Sequence, residues 1–269
     1  MKYSEIAPPA FLKNQVRYFW TLESDGSGDS PVIFRPLADG CPGLMYHRST
    51  DGSLSQFDKK LPEIFVYGQT TGPTEVRSSS SFRTTGVVFF PQALKTIFGL
   101  DADMLTNSCA DVSWLAEKHH PLSEQLFDAK SAQDEISMLA SGLFSFQKRN
   151  NVSDNAVISY AVSEIIKSKG VLSFKDLLKN MQLSERTFER RFRQWIGVSP
   201  KLFARICQFQ SALNQMKNND FSKLSDIAFE NDYADQSHFI RSFKEFSGFS
   251  PFQYQKQSGD VAKNFLAIL

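Results

Sequence analysis

A duplicated segment near the carboxyl end constrains the fold of this chain more than any other feature. Residues 188–200 align with residues 239–251 at a constant offset of 51, and Phe, Arg, Phe, Gly, Ser and Pro recur at matching positions. A short apolar stretch and a turn precede each copy, at 174–180 and 225–230. Each copy therefore predicts a short helix, a turn and a second helix, which are the proportions of a helix-turn-helix unit. The expected helix N-caps in this half of the chain are Ser153, Ser173, Ser184, Ser199, Ser225, Asp235 and Ser250.

The second helix of each copy has one apolar face and one polar face. The apolar positions recur at i, i+4 and i+7, the spacing of a buried helical stripe, and are Phe188, Phe192 and Trp195, then Phe239, Phe243 and Phe246. The outward positions are Arg186, Glu189, Arg190 and Arg193 in the first copy, and Gln236, Ser237, Ile240, Arg241 and Lys244 in the second. We expect these outward residues to form a contact surface.

The outward residues suit the major groove of DNA. Arginine presents a bidentate fork to guanine and glutamine can do the same for adenine, whereas flanking Lys and Arg meet phosphates. Glu189 either accepts from a cytosine amino group or pairs with Arg193 four residues on. The alternative is that these residues form only a solvated face on a helix packed against the core. Because the same two-faced helix occurs in both copies, each after a short helix and a turn, DNA binding is favoured.

The segment between the two copies has a suitable length for a spacer. Ser199-Pro200 opens a helix that is predicted to run over residues 199–217 and to span about 28 Å. Successive major grooves on one face of DNA lie about 34 Å apart. One chain is therefore expected to present two recognition helices to adjacent major grooves.

Residues 153–257 resemble the DNA-binding domain of AraC/XylS-type transcription regulators. The match is carried by DIAFENDYADQSHF at 226–239, Phe243-Lys244 and GFSP at 248–251. The resemblance implies two helix-turn-helix units joined by a linker helix. It also assigns base contacts to Arg186, Glu189 and Arg190 in the first unit, and to Gln236, Ser237, Ile240 and Arg241 in the second.

Two residues depart from the pattern of that family. Asp232 stands where the family usually has Gly in the turn, and Asp tolerates the left-handed conformation better than most residues. Ile240 stands where a polar residue would read a base. Its side chain either touches a thymine methyl group or leaves that position unread.

The N-terminal half alternates short apolar runs with breakers, which predicts a β-rich domain. Strands are expected at 17–22, 32–34, 43–46, 64–67 and 86–90, in a cupin-like barrel or a sandwich, with a loop at 24–31. Helices are expected from about 94, over 110–118 and over 123–146, followed by a polar hinge at 147–151. The predicted fold class is α+β, with an effector-binding or dimerisation domain at 1–150, a DNA-binding domain at 151–257 and a tail at 258–269. The first two regions carry net charges of −3 and +4, which hints at an anionic partner for the second.

Three N-terminal segments are similar to the sensor domains of some AraC/XylS-type regulators. They are Tyr18-Phe19-Trp20 and the stretches at 35–40 and 86–91, within a similarity over 7–115. The resemblance implies a compact domain that binds an effector, a partner subunit or both. By residue type, the candidates for an effector pocket are Trp20, Arg35, Asp39 and Arg83, and local packing or pairing is an equal alternative for them.

Several other classes of function lack their sequence signals. The four histidines include no His-x-His pair, and neither a Gly-rich phosphate loop nor a nucleophile elbow is present, so no catalytic residue, metal or cofactor is expected. The three cysteines are scattered and are expected to be reduced thiols. No signal peptide or membrane-length apolar run appears, which favours a cytoplasmic protein without a membrane partner.

The sequence thus predicts a DNA-binding transcription regulator that responds to an effector and is not an enzyme. Double-stranded DNA and a small-molecule effector are the expected partners, with RNA polymerase if the chain is an activator, and a homodimer as a further expectation. The alternative is a small-molecule-binding protein or enzyme whose helical C-terminal half is a docking module.

Overall fold

A computed structural model describes residues 2–25, 32–49, 54–78, 81–112 and 122–257. The predicted tail at 258–269, His119 and His120 lie outside these residues, as does most of the loop predicted at 24–31. Within the described residues, a β-rich N-terminal half precedes a helical C-terminal half. The predicted α+β class is confirmed.

The described N-terminal residues form two antiparallel sheets. The strands are β1 (Lys2–Ile6), β2 (Val16–Ser24), β3 (Val32–Phe34), β4 (Gly43–Ser49), β5 (Ser55–Gln56), β6 (Lys59–Lys60), β7 (Ile64–Tyr67), β8 (Val76–Ser78), β9 (Phe82–Phe89) and β10 (Cys109–Asp111). The larger sheet has the order β1-β2-β9-β4-β7-β10 and the smaller has β3-β8-β5-β6. Neither sheet closes on itself within the described residues, so the barrel alternative is not observed there.

Helices cover one face of the larger sheet. They are α1 (Ala93–Phe98), α2 (Leu122–Asp128) and α3 (Ala132–Asn150). Phe19 and Val87 lie opposite each other on β2 and β9, and both pack in one core with Leu139 and Leu143 of α3. The alternation of the strands and the helical spacing of the leucines therefore bury one common apolar layer.

A buried carboxylate ties α3 to the sheet. Glu135 is only 1% exposed and accepts hydrogen bonds from Arg83 Nη2, at 2.9 Å, and from the hydroxyl of Thr85. Arg48 Nε lies 3.5 Å from the same carboxylate. A buried charge is tolerated when it is paired and hydrogen-bonded, so these contacts hold Glu135 in place.

The C-terminal half is helical throughout its described residues. Its helices are α4 (Ala156–Lys167), α5 (Phe174–Met181), α6 (Glu185–Ile196), α7 (Pro200–Lys217), α8 (Leu224–Glu230), α9 (Gln236–Ser247) and α10 (Pro251–Gln257). The predicted N-caps Ser173, Ser184, Ser199 and Asp235 each accept from the backbone N–H three residues on. These caps satisfy amide groups that a helix start leaves unpaired.

Two aromatic cores share α7. Phe188, Phe192 and Trp195 of α6 pack against α4, α5 and the first half of α7, where Phe203 lies. The second half of α7, including Phe209, packs against Phe239, Phe243 and Phe246 of α9. The linker helix is therefore a structural part of both helix-turn-helix units.

Several predicted boundaries differ from the structure. The helix expected over 123–146 is two helices, α2 and α3, and Ala110, expected to be helical, lies in strand β10. Asn155 rather than Ser153 caps α4, because its side chain accepts from the Ile158 amide at 3.3 Å. Lys223 rather than Ser225 occupies the N-cap position of α8, which begins at Leu224. The polar residues 147–151, expected to be a hinge, form the last turn of α3 and its C-cap, Asn151.

Candidate nucleic-acid interface and effector cavity

The first recognition helix, α6, presents a charged face to solvent. Phe188 and Phe192 anchor its inner face, while Arg186, Arg190 and Arg193 are exposed on its outer face. The exposed side chains form a shallow surface groove with Glu185 and Glu189. Three guanidinium groups on one accessible helical face are suited to phosphate oxygens and guanine edges.

Glu189 is paired within the first recognition helix. Arg193 Nη2 donates to Glu189 Oε1 at 2.9 Å, one helical turn away. Of the two alternatives that the sequence left open, the intrahelical pair is therefore the arrangement in the DNA-free protein. Both side chains are about half exposed, so solvent screens this pair and its contribution to stability is small.

The second recognition helix, α9, has a different outer face. Gln236, Ser237, Arg241 and Lys244 are exposed along it. Ile240 is half-buried and packs at the edge of the core formed with α7. The turn before α9 contains Asp232 at φ +57°, the left-handed conformation that the sequence led us to expect there.

Helix α7 attaches to both recognition helices through aromatic rings. The ring of Phe203 lies 5.8 Å from that of Phe192, and the ring of Phe209 lies 5.3 Å from those of Phe243 and Phe246. The 18 residues of α7 span about 27 Å. A continuous helix packed against both units restricts their relative motion.

A cavity of about 320 Å³ lies in the N-terminal half. Its wall combines aromatic, aliphatic and polar side chains and includes Tyr18, Trp20 and Tyr67, with Asp39 as a charged residue. The backbone N–H of Cys41 donates to Asp39 Oδ1 at 2.9 Å. Burial raises the pKa of Asp39 to about 6.

Two of the four predicted effector residues line this cavity and two do not. Trp20 and Asp39 form part of its wall. Arg35 instead pairs with Glu75, at 2.7 Å between Nη2 and Oε1, and its guanidinium lies 5.5 Å from the ring centre of Phe249. Arg83 is held by the buried Glu135. Effector binding by Trp20 and Asp39 stays a prediction. Arg35 pairs with Glu75 and Arg83 pairs with Glu135, and neither arginine lines this cavity.

The cavity wall is continuous with the second helix-turn-helix unit. Leu37 lines the cavity and belongs, with Ala38, to the core of α7 and α9. Gln210 Nε2 of α7 donates to the Ala38 carbonyl at 2.5 Å, and this contact is buried. Pro73 also lines the cavity, and a Cβ on Gly248 would lie 2.9 Å from its side chain.

The first helix-turn-helix unit also contacts the N-terminal half. Thr106 Oγ1 donates to the Gly197 carbonyl at 2.6 Å, and Gln194 Nε2 of α6 donates to Asp101 at 3.1 Å. Lys95 also binds Asp101, and these contacts lower the pKa of its carboxyl group. Both units therefore meet the N-terminal half at the carboxyl ends of their recognition helices.

Comparison with known proteins agrees with this arrangement. Residues 177–257 match the family described as a helix-turn-helix domain, which covers both recognition helices and the linker between them. The chain carries an AraC-type helix-turn-helix domain. The resemblance to AraC/XylS-type transcription regulators that the repeat indicated is confirmed.

One curated relative matches part of the chain. It is an uncharacterized HTH-type transcriptional regulator of Haemophilus influenzae, 39% identical over 74 residues. The match covers 28% of this chain and 24% of the relative, so it spans about a quarter of that protein. N-terminal to the AraC-type domain, residues 4–111 match a domain of unknown function, DUF6597.

The solved structure of ToxT from Vibrio cholerae has a similar fold. It covers 88% of this chain and 98% of its own, at a TM-score of 0.50 and 13% identity. A second ToxT structure, bound to (E)-4-(8-methylnaphthalen-1-yl)but-3-enoic acid, has the same coverage and TM-score at 14% identity. These similarities extend beyond the AraC-type domain to the β-rich half.

Sequence reasoning located the faces of the AraC-type domain but missed the residues that join it to the N-terminal half. Gln194 and Gln210 lie on predicted helices, yet their partners are 93 and 172 residues distant. No local pattern marks such contacts. Among the described residues, no helix has the length and apolar character to cross a membrane, and no group of three His, Cys, Asp or Glu residues is placed to hold a metal ion.

Proposed function

We propose that the chain is a sequence-specific DNA-binding transcription regulator whose N-terminal half binds a small-molecule effector. The observation that carries this proposal is the pair of exposed polar faces on α6 and α9, mounted on one continuous helix. The duplex DNA partner makes the cytoplasm the expected place of action.

In this proposal α6 and α9 enter adjacent major grooves on one face of the duplex. Arg186 and Arg190 of α6 meet base edges, as do Gln236 and Arg241 of α9. Arg193 and Lys244 lie nearer the carboxyl ends of the helices and contact phosphates. Helix α7 is about 27 Å long, and successive major grooves lie roughly 34 Å apart. Helices α6 and α9 pack at the two ends of α7 and add to the distance that the domain spans.

The remaining predicted contact residues have secondary parts in this arrangement. Glu189 exchanges its Arg193 partner for a base or stays paired, and Ser237 donates to a base or phosphate. Ile240 is half-buried, which favours packing and leaves only part of its side chain for a thymine methyl group.

The effector half of the proposal is supported by the position of the cavity. Leu37 and Pro73 line it and also contact the second helix-turn-helix unit. A ligand that favours one arrangement of these segments would change the population of DNA-competent protein. A protein of the same fold, ToxT, has been solved with a small organic acid bound. On this basis residues 1–150 form the effector domain and residues 151–257 the DNA-binding domain.

The direct test combines sequence selection with two substitutions. Sequences bound by the full chain are selected from random DNA, and the affinity for the best site is measured for Arg190→Ala and Arg241→Ala. Each is expected to weaken specific binding by about 1–3 kcal/mol, the value of one good base contact. Lys13→Ala removes an equal charge from an exposed N-terminal position and is the matched control.

Wild-type affinity in both arginine variants would contradict the assigned contacts. Failure to enrich any sequence would favour the alternative of an enzyme or small-molecule-binding protein whose helical half is a docking module. Specific binding is also expected to weaken as salt concentration rises, through counterion release. A homodimer, and RNA polymerase contact if the chain is an activator, stay predictions of the same proposal.

A further inference from the structure

The electrostatics of the N-terminal cavity indicate which ligands it can hold. Among the described residues that line the cavity, Asp39 is the one acidic residue, and none is Lys, Arg or His. Burial raises the pKa values of Tyr18 and Tyr67, and it raises that of the Cys41 thiol to about 12. The phenols and the thiol are therefore neutral at pH 7, and Asp39 supplies the negative charge of the wall.

Asp39 has polar support but lacks a cation at ion-pair distance among the described residues. Its Oδ1 accepts the backbone N–H of Cys41 at 2.9 Å. The Arg17 guanidinium interacts with Asp39 electrostatically, yet it donates to Cys41 Sγ at 3.2 Å and is not part of the cavity wall. A carboxylate deep in a protein is ordinarily paired. The cavity thus leaves room for a cation that the chain does not itself provide.

The rest of the wall is suited to the body of such a ligand. Seven aromatic side chains line the space, and they are Tyr3, Tyr18, Trp20, Phe34, Phe57, Phe65 and Tyr67. The faces of aromatic rings attract cations, and desolvated sites strengthen the effect. The volume of about 320 Å³ falls at the small end of the range for ligand pockets.

We propose that this cavity binds a small organic cation, an amine or quaternary ammonium compound with an apolar or aromatic body, with Asp39 as its counter-ion. The inference rests on the proposed function, because it names the chemical class of the effector. It also distinguishes this chain from ToxT, whose solved ligand is an organic acid. An anionic ligand would face the Asp39 carboxylate without a lining cation to neutralise it.

Three phenylalkyl probes of similar size and different charge test the inference on the full chain. They are trimethyl(2-phenylethyl)ammonium, its neutral carbon isostere (3,3-dimethylbutyl)benzene, and the anion 4-phenylbutanoate, each titrated calorimetrically. We expect the cation to bind about tenfold more tightly than either of the others. Asp39→Asn is expected to lower affinity for the cation about tenfold and to leave the neutral isostere unchanged.

The asparagine variant retains an Oδ1 acceptor for the Cys41 amide, so the fold should be preserved. Asp103→Asn removes an equal charge from an exposed N-terminal residue outside the cavity wall, and its binding should match wild type. Trp20→Leu removes one aromatic face and is expected to weaken the cation more than the neutral isostere.

Three outcomes would overturn the inference. They are tighter binding of the anion, an Asp39→Asn variant that binds the cation as wild type does, and absence of binding by all three probes. Affinity for the selected DNA is measured on the same samples. If wild-type protein binds the selected DNA but not the cation, only the ligand class is refuted. If wild-type protein binds neither the DNA nor the cation, the proposed function is refuted.

Discussion

The two helix-turn-helix units share one core and differ on the surface. α6 and α9 bury aromatic residues at the same repeat positions, and both end at a glycine with positive φ, Gly197 at +98° and Gly248 at +80°. The outer face of α6 carries three exposed arginines, whereas that of α9 carries amide, hydroxyl, aliphatic and cationic groups. Aromatic spacing therefore specifies the unit, while the exposed positions are free to diverge.

The units also differ in how they meet the N-terminal half. The first is held by Thr106 and Asp101, neither of which lines the cavity. The second contacts Leu37 and Pro73, which form the cavity wall itself. We therefore expect the second unit to respond more directly to a bound effector.

Core truncation tests the shared part of the design and has the largest expected effect. Phe192 and Phe243 are fully buried at equivalent positions, so Phe192→Ala and Phe243→Ala are each expected to lower the free energy of unfolding by about 3–5 kcal/mol. Urea denaturation measures the change. Phe229→Ala is the matched control, since that ring is 86% exposed. Equal losses in all three variants would contradict the assignment of the cores.

Substitution of the glycines that end the two recognition helices tests the contacts between the helix-turn-helix units and the N-terminal half. Gly197→Ala and Gly248→Ala place a side chain at positive φ, which costs about 1–2 kcal/mol. The added Cβ also meets the Ala102 carbonyl at 3.0 Å in the first case and the Pro73 side chain at 2.9 Å in the second. Denaturant unfolding should show the loss in both variants. Gly72→Ala should leave the free energy of unfolding nearly unchanged, because the nearest atom to its Cβ would be the Glu245 carbonyl oxygen at 3.7 Å, an ordinary contact distance.

Substitution of two glutamines compares the buried contact of the second unit with the more exposed contact of the first unit. Gln210→Ala removes the buried hydrogen bond to the Ala38 carbonyl and should cost about 1–2 kcal/mol of stability. Gln194→Ala should cost less, about 0.5 kcal/mol, because Asp101 keeps Lys95 as a partner and is accessible to water. Thermal unfolding of the two variants gives the order. A larger loss for Gln194→Ala would reverse our ranking of the two docking contacts.

The smallest expected effect concerns a pair that only the first unit has. Glu189→Gln removes the acid that pairs with Arg193 and should change stability by about 0.3–0.5 kcal/mol. The freed guanidinium should strengthen non-specific DNA binding and steepen its salt dependence by about one phosphate contact. Fluorescence anisotropy at several salt concentrations measures both. A loss of more than about 1 kcal/mol in specific affinity would instead identify Glu189 as a base reader.

Local patterns predicted the helical half well. The spacing of the aromatic residues located α6 and α9, and the residues Ser184, Ser199 and Asp235 located three helix starts, because capping depends on atoms within one turn. The strands at 32–34 and 64–67 were predicted to the residue. The strand β1 was missed since it is a short edge strand with polar residues, and its partner β2 lies beyond an intervening turn.

The amino-acid sequence was enough to predict the two helix-turn-helix units, their outward residues and the similarity to AraC/XylS-type regulators. Tertiary structure alone decided that Trp20 and Asp39 share a cavity while Arg35 and Arg83 turn to Glu75 and Glu135. It also brought Gln210 to Ala38 across 172 residues of chain. Helix periodicity and capping arise from neighbours three or four residues apart, whereas a cavity is made by side chains from many strands, whose proximity depends on how the whole chain packs.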